Sequence, residues 1–280
     1  KKIYNYLLGK GFMLDKCHYS MFDSLAEEDD LTALFEVLSS VKDKNNNPSV
    51  FTANCIMANP DFNKIGMSNY QEYHYETFVH TLNNKKKCKN SFELWKEGDR
   101  NKIFHPQYHG REHLNINRWM DDLQAGSLET IRAFDSGFYG ASTTTVKAKR
   151  KSFMAALEYD SEKQKEQIKK VIIDGLQLFE KHIKYKSKSF IPPNYILDRS
   201  LEGTLESNGI KYLQGGLYRK DVIQYPDKNK FLMRYSGQKN YHNQISIVRN
   251  VFFEPSEDLS KDWVSDSLKE INRSFRWKQP

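Results

Sequence analysis

The sequence has few of the features that mark secreted or membrane-spanning proteins. Its 280 residues contain three cysteines, a small and odd number that suits a reducing compartment better than a secreted disulfide framework. No two of them have the spacing of zinc ligands. The longest apolar runs are far shorter than the roughly 18 to 20 residues of a membrane span, and the first residues, KKIYNYLLGKGF, do not resemble a signal peptide. We therefore expect no membrane span and a cytoplasmic location.

Signatures of nucleic-acid binding are also missing. The net charge of +7 comes mostly from lysines scattered along predicted helices, together with the tract NNKKKCKNS at Asn83 to Ser91, which is typical of a solvated loop. There is no zinc-finger, RNA-binding or helix-turn-helix pattern, and no internal repeat. We therefore expect no nucleic-acid partner, whereas a basic surface is compatible with an anionic polymer as substrate.

Strand and helix patterns alternate along the first half of the chain. DDLTALFEVLSSV (Asp29 to Val41) has its apolar residues on one helical stripe, and VFTANCIMA (Val50 to Ala58) is short, apolar and β-prone. A helix is expected around Gln71 to Leu82, and KIFHPQYH (Lys102 to His109) has the pattern of a second strand. NINRWMDDLQAG (Asn115 to Gly126) begins with a helix-capping asparagine and ends with a helix-terminating glycine.

The second half repeats this alternation. Residues 161 to 183 begin with a capping box and carry apolar residues at helical spacing, so they predict a long helix. A strand at KSFIPP (188 to 193), a polar helix at 198 to 209 and a strand at 210 to 216 follow. Strands that alternate with helices indicate parallel β-α units, and in a chain of this length they predict an α/β domain over residues 1 to 280 with its sheet closed into a barrel.

Three histidines recur every four residues in FHPQYHGREHLN, at His105, His109 and His113. A helix would place them on one face, but Pro106 and Gly110 would destabilise it by about 3 and about 1 kcal/mol. We therefore predict a loop after a strand, which is where parallel α/β proteins carry their chemistry. Two imidazoles four residues apart can converge on one metal ion if the loop turns between them. The alternative is that these histidines are ordinary polar loop residues.

HGREH, followed by a capped helix in a β/α chain, resembles the second motif of the polysaccharide deacetylase superfamily, the NodB homology domain of carbohydrate esterase family 4. In that family a His-[Ser/Thr]-x-x-His stretch supplies two ligands to a divalent metal ion. The resemblance implies that His109 and His113 bind such an ion, zinc most commonly, with Gly110 where the family prefers Ser or Thr. His105 lies outside the motif. More loosely, PSVFTANC resembles the family's second barrel strand, and residues 188 to 214 resemble the later unit in which a Pro-rich strand end precedes a helix, a glycine and a short strand. The fold that this implies is an irregular seven-stranded (β/α) barrel.

This resemblance implies a bacterial metal-dependent hydrolase that removes acetyl groups from a polysaccharide or an acetylated sugar. Four residues are candidates for contact with the saccharide. Tyr108 and Tyr195 could stack on a sugar ring, with core packing as the alternative, and Asn194 stands at a strand end. Arg111 could orient ligands or substrate, with an ion pair to Glu112 as the alternative.

The chain departs from the family pattern in the residues that perform catalysis. The family's Asp-Asp pair follows its first strand, whereas Asp29-Asp30 and Asp121-Asp122 lie on predicted helices. We therefore leave the catalytic residues unassigned and expect that pair upstream of Lys1 and the final strand downstream of Pro280. The third-motif arginine is also missing from FIPPNY.

Two consequences follow from these departures. We expect the 280 residues alone to remove acetyl groups slowly. If they remove them efficiently instead, Asp23 in DKCHYSMFD is the first candidate for a substitute metal ligand. The alternative function is a non-catalytic carbohydrate-binding or assembly protein on a degenerate deacetylase scaffold. A glycoside hydrolase is a third class, but no convincing pair of carboxylates is present for it.

Overall fold

A computed structural model describes residues 2–16, 18–140, 152–224 and 228–277. Its helices and strands follow one another in this order: α1 (Lys2–Gly9), α2 (His18–Phe22), α3 (Glu28–Ser40), β1 (Phe51–Ile56), β2 (Ala58–Pro60), α4 (Phe62–Met67), β3 (Tyr75–Thr77), α5 (Phe78–Asn83), α6 (Ser91–Arg100), β4 (Phe104–Gly110), α7 (Ile116–Gln124), α8 (Leu128–Asp135), α9 (Glu162–Ile183), β5 (Ser189–Phe190), α10 (Arg199–Ser207), β6 (Tyr212–Gly215), β7 (Tyr218–Gln224), β8 (Lys228–Met233), β9 (Ile245–Val248) and α11 (Trp263–Arg276).

Five strands form a parallel sheet in the order β1-β4-β5-β6-β9. This order follows the chain, and helices lie in the connections between β1 and β4, between β4 and β5, and between β5 and β6. The predicted α/β class with parallel strands is therefore confirmed. Among the described residues β1 and β9 are the two edges, so the closed barrel is not shown. Two antiparallel pairs, β2 with β3 and β7 with β8, stand apart from the main sheet.

One face of the sheet is apolar and packs against α9. Its buried side chains include Cys55, Tyr108, Phe190 and Leu213 of the sheet, with Ile172 and Phe179 of the helix. Although α9 is 22 residues long, charged residues recur along it. No helix in the described ranges combines the length and apolar character that crossing a bilayer would require.

The opposite face of the sheet is polar, because successive residues of a strand point to opposite sides. Asn54, Gln107, Ser189 and Gln214 alternate with the buried apolar residues and bond to one another across four strands. The Gln214 amide donates to Asn54 Oδ1 over 3.3 Å and to Ser189 Oγ over 2.7 Å, and Ser189 Oγ donates to Gln107 Oε1 over 3.0 Å. Two residues beyond Gln107, His109 belongs to this same polar face.

The helices predicted after Asn115 and after Ser161, both beyond the histidine stretch, form as α7 and α9. Asn115 caps α7, since its side chain accepts a hydrogen bond from the Arg118 amide over 3.2 Å, and Gly126 follows the helix with φ of 76°. Ser161 caps α9 by accepting from the Gln164 amide over 3.2 Å.

The predicted strand at Val50 to Ala58 is divided in two. The amides of Met57 and Ala58 donate to the Arg111 carbonyl over 3.1 and 2.7 Å, which turns the chain out of the sheet after β1. Ala58–Pro60 then pairs with Tyr75–Thr77. The helix predicted around Gln71 to Leu82 is therefore wrong in its first half, where β3 forms instead.

Gly175 in α9 lies against Tyr108 of β4 and against Arg111 just beyond that strand. A methyl group at this position would meet the Tyr108 hydroxyl and would lie 2.9 Å from Arg111 Cβ. Real side chains do not approach so closely without a shift of backbone or neighbours. Glycine is therefore required here by packing rather than by backbone conformation.

We predict that Gly175→Ala lowers the free energy of unfolding by about 1 to 3 kcal/mol, because it overpacks the contact between α9 and β4. Gly66→Ala in α4 is the matched control. Its new methyl group would meet only the Phe134 ring at 3.6 Å, an ordinary contact. The control should be neutral or stabilising by up to about 1 kcal/mol, because alanine has the higher helix propensity. Equal stability of the two variants in chemical denaturation would contradict this packing.

Candidate functional site

His109 and His113 are brought together at the carboxyl end of β4. His109 is the sixth residue of that strand, and His113 lies in the loop between β4 and α7. Their imidazole ring centroids are 5.3 Å apart. His105 lies near the other end of β4, where its Nδ1 is 3.0 Å from Asp99 Oδ1 and its ring stacks on Tyr185. The strand predicted at Lys102 to His109 is confirmed as β4, which extends through Gly110 as a partner for β1 and β5, so of the three histidines only His113 lies in the loop after the strand.

The surroundings of both histidines favour the neutral imidazole. The Nδ1 of His109 lies 2.7 Å from the Ile191 carbonyl oxygen, which can only accept, so Nδ1 carries the proton and Nε2 keeps its lone pair. Burial lowers the pKa of His109 to about 4, and burial also lowers the pKa of His113. The Nδ1 of His113 is buried and makes no hydrogen bond within the described residues. Neutral imidazoles with a lone pair available are metal ligands.

A third ligand does not join this pair. Over the residues that the structure describes, no group of three or more histidine, cysteine, aspartate or glutamate side chains could hold a metal ion. Asp23 is not part of such a group, and Cys17 lies outside the described residues. Asp30 lies in the first turn of α3, where its side chain accepts from the Glu27 amide over 2.9 Å, and Asp122 lies in α7 and accepts from the Thr130 hydroxyl. Both aspartate pairs are thus on helices, as the sequence predicted.

Between the two histidines, Arg111 and Glu112 form a buried ion pair. The Nε of Arg111 lies 2.8 Å from Glu112 Oε1, and its Nη1 lies 2.8 Å from Asp174 Oδ2 in α9. The hydroxyls of Tyr73 and Tyr75 donate to Glu112 and Asp174, each over 3.0 Å. Burial raises the pKa of Glu112, an effect that the Arg111 charge opposes. The ion pair, rather than a contact with substrate, is the role of Arg111 that these bonds support.

The other residues predicted to contact the saccharide differ in how deeply they are buried. Tyr108 is 1% exposed and its ring stacks on Phe190 at 5.5 Å, so its contacts are those of a core residue. Asn194 is exposed and Tyr195 half-buried, and both follow β5 at the carboxyl edge of the sheet. Their φ angles are 54° and 55°, a left-handed conformation that is uncommon outside glycine. Backbone strain of this kind tends to occur at functional sites.

Two groups of site residues escaped the sequence reasoning. Tyr73 is 39 residues from its partner Glu112 in the sequence, and Tyr75 is 99 residues from its partner Asp174. No local sequence pattern predicts such contacts. A second buried ion pair joins Arg219 of β7 to Glu202 of α10, with Nη2 and Oε1 2.7 Å apart. Glu202 is buried with Leu201 and Leu205 in α10, and its place beside those two leucines is the local signal that the sequence offers for it.

No protein-family model matches the chain, and no curated protein is significantly similar to it. A functional proposal must therefore depend on the geometry of the site and on the HGREH motif.

We predict that Arg111→Met lowers the free energy of unfolding by about 3 to 5 kcal/mol, because it leaves the buried Glu112 carboxylate without its cation. Lys96→Met is the matched control. Lys96 pairs with Glu93 over 2.7 Å at the surface, and loss of such a pair should change stability by less than about 1 kcal/mol. Similar denaturation midpoints for the two variants would show that the Arg111 pair does not hold the loop.

Proposed function

We propose that this chain binds a divalent metal ion, zinc by preference, through His109 and His113, and that it serves to remove acetyl groups from a polysaccharide or oligosaccharide. One observation carries the proposal. The two histidines of the HGREH motif lie side by side at the carboxyl end of a parallel strand, and burial favours the neutral imidazole at both. This is the edge where parallel α/β proteins carry their sites.

We infer that the sheet belongs to a single (β/α) barrel domain of the seven-stranded deacetylase type. The chain-order succession of five parallel strands supports this, since barrels are wound in that way. The polar face also supports it. In a barrel the face opposite the helices lines the interior, and the bonded row of Asn54, Gln107, Ser189 and Gln214 would line it just below the histidines.

The histidines fit two positions of a zinc site, whose catalytic form typically has three protein ligands. We propose that a carboxylate ligand and the general base come from residues other than those described. When bound, the ion would activate a water molecule and polarise the acetyl carbonyl. The Ile191 carbonyl fixes the tautomer and orientation of His109, as a partner of a metal ligand commonly does. Asn194 and Tyr195, at the same edge, are the proposed contacts for the sugar.

A non-catalytic carbohydrate-binding or assembly protein is the second candidate function. The observation that favours it is the lack of a third ligand within the described residues. Such a protein would keep Asn194 and Tyr195 at the carboxyl edge of the sheet and would have little affinity for zinc. Metal binding therefore separates the two functions.

We predict that the tag-free protein binds about one equivalent of zinc. His109→Ala and His113→Ala should each weaken zinc binding by more than the roughly 10- to 100-fold that is typical when a residue hydrogen-bonded to a metal ligand is lost. Each substitution removes one of the two nitrogen ligands. His105→Ala is the matched control and should retain the affinity, because its ring bonds Asp99 at the other end of β4. Calorimetric titration measures all four proteins. Equal binding in all of them would overturn the metal site.

We also predict that the zinc-loaded protein, expressed with its flanking coding sequence, releases acetate from acetylated sugar oligomers and that His113→Ala abolishes this release. The 280 residues alone should be much slower, because the described residues supply no third ligand. His105→Ala controls for a general effect of losing an imidazole. Equal rates for the short and the extended proteins would show that the chain contains its own carboxylate, and Asp23 would be the first to substitute.

A further inference from the structure

The hairpin of β7 and β8 carries apolar side chains where a hairpin at the surface usually carries polar ones. Its register pairs Tyr218 with Met233 and Lys220 with Phe231, so these four side chains form one face, the hairpin face. Tyr218, Phe231 and Met233 are 57%, 67% and 62% exposed. The water-facing side of an antiparallel pair is normally polar, and an exposed apolar surface of this kind marks a binding site.

The hairpin face is turned toward the histidine pair. Lys220 Nζ donates to Glu158 Oε1 in the segment before α9. The carbonyl of Glu158 accepts from Asn115 Nδ2 over 2.7 Å, and Asn115 follows His113 by two residues. Arg219, the neighbour of Lys220 in β7, points the other way, into its ion pair with α10. The hairpin face therefore borders the carboxyl edge of the sheet on the side of His113.

The start of β7 also lies beside the residues proposed to contact the sugar. The Leu197 amide donates to the Lys220 carbonyl over 3.1 Å, and Ile196 forms a parallel bridge with Lys220. Two residues earlier on each segment are Asn194 and Tyr218, which the parallel bridge brings near each other. The proposed sugar contacts and the hairpin face are therefore parts of one surface.

The side chains of the hairpin face fit an acetylated saccharide. A tyrosine ring offers an apolar surface for the C–H side of a sugar ring and a hydroxyl for its polar edge. Phe231 has no hydrogen-bonding group, and Met233 has only a weakly accepting sulfur, so both suit the methyl group of an acetyl substituent. Burial of one such methyl strengthens binding by roughly fourfold. The one charge on this face, Lys220, is balanced by Glu158, which favours a neutral ligand.

We propose that the hairpin face binds acetylated sugar rings next to the ring that lies at the histidines, so that the substrate is an acetylated oligomer or polymer rather than a single acetylated sugar. This inference rests on the proposed function, because it names the substrate class of the same site. Phe231 and Met233 recognise the acetyl groups of the neighbouring rings. A ring that has lost its acetyl group binds the hairpin face less tightly.

The test measures binding of three neutral sugars to the metal-free protein by calorimetry: N-acetylchitopentaose, cellopentaose and N-acetylglucosamine. The two pentamers have the same β-1,4-linked rings, but only the first carries acetyl groups, so it should bind at least about tenfold more tightly than the second. The monosaccharide cannot span the histidines and the hairpin face together. It should therefore bind at least about tenfold more weakly than the acetylated pentamer.

Phe231→Ser and Tyr218→Ser should each weaken binding of the acetylated pentamer by about tenfold, because each removes one aromatic contact. Both side chains are exposed, so neither change should disturb the folded state. Tyr241→Ser is the matched control and should keep the wild-type affinity. Tyr241 is 92% exposed and precedes β9, at the edge of the sheet opposite to the histidines.

Equal affinity for the two pentamers, or equal affinity of Phe231→Ser and Tyr241→Ser for the acetylated one, would overturn the proposal. Sedimentation of the protein alone tests the other occupant. A wild-type dimer that Phe231→Ser converts to a monomer would show that the hairpin face joins two copies of the chain, and the proposal would be wrong. The titrations contain no metal, so their failure leaves zinc binding by His109 and His113 intact. Loss of zinc in His109→Ala with the pentamer still bound would instead remove only the metal proposal.

Discussion

The connection from β4 to α7 depends on the buried ion pair of Arg111 and Glu112. Two charges removed from water are strongly unfavourable unless each finds partners, and here Asp174, Tyr73 and Tyr75 complete the set. The Arg111 carbonyl also accepts from the amides that end β1. These bonds hold the loop at Arg111 and Glu112, and His113, the next residue, lies beside His109.

A second constraint acts from the polar face of the sheet. Strand β5 has only two residues and pairs with β4 at a single position, Tyr108 with Phe190. Gln107 compensates for this short ladder, since its Oε1 accepts from the amides of Lys188 and Ser189 over 2.9 and 2.8 Å. The same bonds place the Ile191 carbonyl where it meets His109. The position of His109 at the edge of the sheet therefore depends on the buried amide of Gln107 below it.

The sequence predicts the parts of this arrangement that depend on local patterns. The periodicity of apolar residues and the caps at Asn115 and Ser161 located α7 and α9, and the motif located the histidine pair. The division of the first strand could not be predicted, because it follows from a carbonyl more than fifty residues away. The ion pair of Arg219 with Glu202 is non-local in the same way. The hairpin of Tyr218–Gln224 with Lys228–Met233 was also missed, although each segment mixes polar residues with apolar ones as a strand at a surface does.

The account depends most on the claim that a metal ion would bind between His109 and His113. X-ray absorption at the zinc edge tests it most directly, because imidazole rings produce a characteristic outer-shell scattering. The account predicts two histidine nitrogens at about 2.0 to 2.1 Å from zinc in the wild-type protein and in His105→Ala. A spectrum without imidazole scattering, or one that is unchanged when His109 and His113 are both replaced by alanine, would contradict it.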